Sequence, residues 1–95
     1  MDCFVYILSG CYRGTLYIGV TSNLVQRVYQ HQNHLIEGFT TQYTLDRLVW
    51  FEGTASIEAA IMREKQMKEW KRAWKIRLVE EMNPTWRDLY PDLLG

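Results

Sequence analysis

Cysteine is scarce in this 95-residue chain, which holds only Cys3 and Cys11. Two thiols cannot build a disulfide framework, and no second pair of ligands lies near them to complete a zinc site, so both are expected to be reduced and structural. Long apolar runs are missing too: no stretch of ~18 or more uncharged apolar residues is present to span a membrane. The opening residues, MDCFVYILSGCYRG, lack a basic segment ahead of an apolar one and run straight into a strand-like pattern. No signal peptide is expected, and the cytoplasm is the expected location. Neither sign of charge is in excess, since 11 Lys and Arg balance 11 Asp and Glu, which argues against gripping nucleic acid by bulk charge. No internal repeat, low-complexity tract or linker interrupts the chain, and its length suits one domain, residues 1–95.

The charge that is present is unevenly placed. Residues 63–77, REKQMKEWKRAWKIR, carry seven Lys or Arg against two Glu. A neutral protein can therefore present one basic face.

Two β-rich runs, CFVYILS and TLYIGV, flank a short turn bounded by Gly10 and Gly14 and read as a hairpin. Pairing Tyr6 with Tyr17 leaves residues 10–13 as a four-residue loop and puts both phenols on one face. TSNLVQRVYQHQNHL follows, with Thr21 or Ser22 available as N-cap and Leu24, Arg27, Val28, His31 and Leu35 recurring at helical spacing, which predicts a helix over residues 22–34. Arg27 and His31, four apart, point the same way at the border of the core. IEGFTTQYTLD reads as a loop, and RLVWFEG as a third strand. Ser56 caps a long helix, SIEAAIMREKQMKEWKRAWKIRLVEEM, which Asn83-Pro84 stops. Its apolar stripe is expected to run through Ile57, Ala60, Ile61, Met67, Trp70, Trp74 and Leu78, with Glu64 on the same side. A carboxylate facing the sheet has to be paired or bind a metal. Trp70 and Trp74 are read as core, and TWRDLYPDLLG as one short helical turn and a tail. The fold class is α+β: a small three-stranded, mostly antiparallel sheet flanked by helices in the order β-β-α-β-α-α.

FVY ending at Tyr6, YIG at Tyr17 to Gly19, TSNLVQRVYQH, AAIMREKQMKEWKRAWK and the late NP together resemble the GIY-YIG nuclease superfamily, in particular its small stand-alone single-domain bacterial proteins. The resemblance covers about residues 3–89. It implies Mg²⁺- or Mn²⁺-dependent hydrolysis of a DNA phosphodiester, leaving a 5′-phosphate and a 3′-hydroxyl. By the same resemblance Tyr17 activates water and Tyr6 supports it. Arg27 holds the scissile phosphate, His31 assists, Glu64 is the metal ligand, and Asn83 matches the family's late asparagine. The residues alone do not decide which tyrosine is the base. Lys65, Lys68, Lys71, Arg72 and Lys75 offer a DNA-backbone face. DNA is the expected partner of a monomer, with no membrane and no small-molecule cofactor. Phe4 stands where the family name has Gly, and GFTTQYTLDR has no basic residue before Arg47. The alternatives are a nucleic-acid-binding module that keeps the fold without catalysis, and a protein-interaction module.

Overall fold

The central strand explains the most apolar run of the sequence. In a computed structural model, which describes residues 2–35 and 44–95, β1 (Cys3–Ser9) lies between β2 (Leu16–Thr21) and β3 (Arg47–Thr54), and both pairings are antiparallel. A middle strand covered on both faces needs apolar residues in succession rather than in alternation. Accordingly Val5, Tyr6, Ile7 and Leu8 are all 1 % exposed or less. One sheet face, with Cys3, Val5, Ile7 and Ile18, packs on α2 (Ile57–Glu69) and α3 (Arg72–Met82) through Ala60, Met67 and Val79. The other face, with Tyr6, Leu8 and Leu48, packs on Leu24 and Val28 of α1 (Leu24–Gln32) and on Leu89, which precedes the short α4 (Tyr90–Leu93). The expected α+β class and element order hold, with the long helix divided in two.

The hairpin register differs from the expected one by two residues. Tyr6 opposes Gly19, Leu8 opposes Tyr17, and Ser9 opposes Leu16, so residues 10–15 form the loop. A slip of two keeps every side chain on its face, whereas a slip of one would invert them all. The two tyrosines thus still share a face, but diagonally. The loop closes through the Gly14 N–H on the Cys11 carbonyl at 3.1 Å, with Arg13 at φ 52°. Arg13 also bonds Glu80 of α3 through two nitrogens at 2.7 and 2.8 Å.

The single long helix expected from Ser56 onward is two helices, because Trp70 and Lys71 are extended at ψ 150° and 149°. Neither glycine nor proline is responsible. Met67 and Val79 are both fully buried. At 3.6 residues per turn, positions twelve apart differ by roughly 120° around a continuous helix. Breaking the helix re-phases α3 so that both residues meet the same core. Trp74, expected in that core, is consequently 54 % exposed, and Ile57 and Ile61 are exposed as well.

Ser56 caps α2 as expected, its hydroxyl accepting from the Ala59 N–H. On α1 the cap is Asn23 rather than Thr21 or Ser22: the Asn23 carboxamide oxygen accepts from the Gln26 N–H at 3.1 Å. Thr21 acts one step earlier, accepting from the Asn23 N–H at 3.0 Å. The helix extends over Leu24–Gln32, shorter than residues 22–34. The loop read in IEGFTTQYTLD falls largely on residues 36–43, outside the described residues. β3 carries a bulge opposite Ile7 and Leu8, where Trp50 pairs with Ile7, Leu48 with Leu8, and Val49 is the extra residue.

Candidate active site

Tyr6 lies across its cross-strand partner, Gly19. A Cβ at position 19 would stand 2.5 Å from the Tyr6 hydroxyl and 2.6 Å from Cζ. The glycine of YIG is therefore the space that the first tyrosine occupies. From that position the Tyr6 hydroxyl bonds His31 Nε2 of α1 at 3.1 Å. Tyr17, from β2, completes a three-ring cluster, with centroids 6.3 Å from Tyr6 and 5.6 Å from His31, while Tyr6 and His31 are 5.9 Å apart.

Burial drives the electrostatics of this cluster. The Tyr6 phenol is pushed above its ordinary range, first by desolvation and then by Tyr17, against an opposing pull from the Arg27 guanidinium, with the negative charge of Glu64 a lesser upward push. His31 is pushed down to about 4, first by desolvation and then by the Arg27 guanidinium. At neutral pH the phenol is protonated and the imidazole uncharged, so the Tyr6–His31 contact is a neutral hydrogen bond. Of the two tyrosines, Tyr6 is sealed at 1 % exposure while Tyr17 is only partly buried. Arg27 is half-buried, and among the described residues no carboxylate pairs with it.

Glu64 approaches from α2 on the inward stripe with Ala60 and Met67, two of the residues expected to share it, whereas Ile57, Ile61 and Trp74 of that expected stripe are exposed. Its side chain is 21 % exposed and lies 3.4 Å from Lys68 one turn on. Among the described residues no three of His, Cys, Asp or Glu gather to hold a metal unaided. A zinc cage of protein ligands does not fit that donor set. A hydrated Mg²⁺ or Mn²⁺ does, because a hard cation keeps several waters and needs only one or two carboxylates.

Of the expected residues, Tyr6, Tyr17 and His31 are in contact, and the charges of Arg27 and Glu64 both act on the Tyr6 phenol. Asn83 does not join them. It is buried, its amide donates to the carbonyls of Val49 and Arg87 at 3.2 and 2.8 Å, and its oxygen accepts from the Arg87 N–H at 3.2 Å. Val49 is the bulge residue, whose carbonyl the irregular ladder leaves over, so Asn83 ties the bulge to the end of α3. The basic residues do not make one free face either. Arg72 donates to the carbonyls of Arg13 and Gly14, Lys68 pairs with Glu64, and Lys75 Nζ reaches the Lys68 carbonyl at 3.4 Å. Lys65 and Lys71 are exposed and have no ion pair among the described residues.

Asp88 is a residue that the sequence did not single out. Its carboxylate accepts from the Leu48 N–H, the Tyr90 N–H and Gln32 Nε2 at 3.1, 3.0 and 2.8 Å, and so joins β3, α1 and the C-terminal segment. A lone Asp before Leu-Tyr-Pro carries no local signal of that role, because two of its three partners are about 40 or more positions away.

Among known proteins, the GIY-YIG catalytic domain matches residues 2–77. A UPF0213 protein of Natronomonas pharaonis is 40 % identical over 80 residues, covering 84 % of this chain and 93 % of that protein. One from Syntrophus aciditrophicus is 35 % identical over 85 residues, covering 85 % and 92 %. The solution NMR structure of a UPF0213 protein from Bacillus halodurans superposes with a TM-score of 0.57 at 28 % identity, covering 93 % of each chain. With its two tyrosines on adjacent strands, the arginine and histidine on the following helix, and matches that run nearly end to end, this chain belongs to the GIY-YIG family, among the small stand-alone UPF0213 proteins.

Proposed function

We propose that this protein is a divalent-metal-dependent DNA endonuclease that hydrolyses a phosphodiester at the Tyr6, Tyr17, Arg27, His31 and Glu64 cluster. The observation that carries the reading is Arg27: a half-buried guanidinium with no carboxylate partner among the described residues, set beside uncharged rings that do not compete for an anion. A phosphate is the anion whose geometry a guanidinium matches.

The residues divide the work by burial. Arg27 binds the scissile phosphate and neutralises the charge that grows on it in the transition state. Tyr17, the more accessible phenol, first releases its own proton to solvent and then, as the phenolate, takes the proton of the attacking water. Tyr6 stays protonated and is locked by His31, which fixes the wall against which Tyr17 is oriented. Water oxygen bonds to phosphorus, the bond to the 3′-oxygen breaks, and that oxygen is protonated from solvent, leaving a 5′-phosphate and a 3′-hydroxyl. Glu64 would hold Mg²⁺ or Mn²⁺, which when bound polarises a phosphoryl oxygen and offsets the cost of ionising a phenol.

Purified wild type and Glu64→Ala, incubated with supercoiled plasmid and with a branched oligonucleotide in Mg²⁺, Mn²⁺ or EDTA, test this. Nicking that needs both the cation and Glu64 is expected. A second reading, DNA binding without cleavage, draws on the Lys68 ammonium that already faces Glu64. It predicts a gel shift by both proteins, steep loss of binding with salt, and no nicking under any condition.

A further inference from the structure

The break between α2 and α3 leaves an indole outside the core. Trp74 meets Trp70 edge to face, with ring centroids 6.3 Å apart and planes at 70°, and is 54 % exposed while Trp70 is half-buried. Trp70 is held in turn by Arg63, whose guanidinium lies over its ring at 5.2 Å and pairs with Glu52 at 3.0 Å. The two indoles, with Arg77, Leu78 and Glu81, line an open cleft of about 260 Å³. An exposed tryptophan on a rigid backing is uncommon on a protein surface and marks a binding site more often than an exposed leucine does.

Around the indoles two cations, Arg77 in the lining and Lys71 next to Trp70, stand against one carboxylate, Glu81, a balance that suits an anionic partner with flat apolar rings. Arg77 lines the cleft, and Lys71 caps α3 at the corner, exposed and without an ion pair among the described residues. Indole faces flanked by cations are how proteins hold unpaired nucleic acid strands: bases stack, and the backbone phosphates meet the cations. Trp70, the residue just past the end of α2, follows Glu64 by six positions, a rise of ~9 Å along the helix axis, which a strand of a few nucleotides spans. A double helix offers no base face to such a cleft.

We infer that the Trp70 and Trp74 cleft is a stacking site for an unpaired base of single-stranded DNA, with Trp74 as the platform and Lys71 and Arg77 on the adjoining phosphates. The ligand class rests on the DNA reading above, so binding is measured without cleavage. The probe is a fluorescein-labelled oligothymidylate titrated in EDTA, against a duplex of equal length, with intrinsic tryptophan emission followed in parallel. Trp50 and Trp86 are buried, so quenching on binding reports on the two cleft indoles, exposed Trp74 and half-buried Trp70. The expected result is quenching that Trp74→Phe largely removes, affinity roughly 5- to 150-fold weaker in Trp74→Ala, and partial retention in Trp74→Phe. Trp74 is exposed, so these variants keep the wild-type melting temperature. Lys71→Gln and Arg77→Gln should each flatten the salt dependence by about one counterion. Single-strand binding that is equal in wild type and Trp74→Ala, or no single-strand binding at all, overturns the inference. Neither result bears on cleavage that depends on Glu64, which the plasmid assay reads separately.

Discussion

The two faces of the sheet use the same central strand for different ends. Toward α2 and α3, Val5, Ile7, Ile18, Val49 and Met67 pack carbon against carbon. Toward α1 the face begins in the same way, with Leu8, Leu24, Val28 and Leu48, and then changes to Tyr6, Tyr17 and His31. An apolar core tolerates substitution by a group of similar volume, because its attraction has no direction. A buried polar cluster does not, because each donor and acceptor needs a partner at a fixed place. The difference teaches that stability and site geometry are separable in this molecule, although residues adjacent on one strand supply both.

The largest effect should come from the apolar face. Ile7→Ala removes a fully buried side chain and is expected to cost about 2–5 kcal/mol, read by urea unfolding, with the pH dependence of stability unchanged. If it also altered that pH dependence, the two faces would not be independent. Gly19→Ala comes next: its Cβ must displace the Tyr6 ring, with an expected loss of about 1–3 kcal/mol and of the Tyr6–His31 contact. His31 chemical shifts follow that displacement directly, and an unshifted imidazole would mean that the strand, not the ring, gives way.

The histidine distinguishes the faces by pH. Its folded-state value of about 4 lies below the ordinary 6.5, so the unfolded chain binds more protons between those limits. The stabilisation from keeping His31 neutral is complete above pH ~6.5 and lost as pH falls toward ~4, on the order of 3 kcal/mol in all. Thermal melts across that window should show the decline in wild type and a flatter curve in His31→Gln. A decline of equal size in both proteins would assign it to other groups. The smallest effect is Lys68→Ala, within about 0.5 kcal/mol because the pair with Glu64 is a solvent-screened contact one helical turn apart. If Glu64 binds a cation, losing the competing ammonium should tighten Mn²⁺ binding, measured calorimetrically.

Reading the chain worked where the cause is local. The strands, the Ser56 cap, the stop at Asn83-Pro84 and the shared side of Arg27 and His31 all follow from side-chain alternation, capping and helical spacing. It failed where distant partners decide. The hairpin register depends on the Tyr6 ring needing the empty side of Gly19, a cross-strand fact. Asn83 resembled a site residue by order along the chain, yet the bulge carbonyl of Val49, 34 positions earlier, claims its amide. Trp74 fitted a helical stripe that a continuous helix would bury.

Residue pattern alone was enough for the family, the α+β order of elements, the shared face of Tyr6 and Tyr17 and the shared side of Arg27 and His31, because each depends on residue type within a few positions. Packing across the whole chain set the rest: Tyr6 is sealed while Tyr17 is more accessible, Trp74 leaves the stripe that Glu64 keeps, and the long helix breaks at Trp70. These outcomes follow from burial. A phenol or carboxylate carries the same letter in every environment, and its proton affinity, partners and exposure are set by what the rest of the chain packs around it.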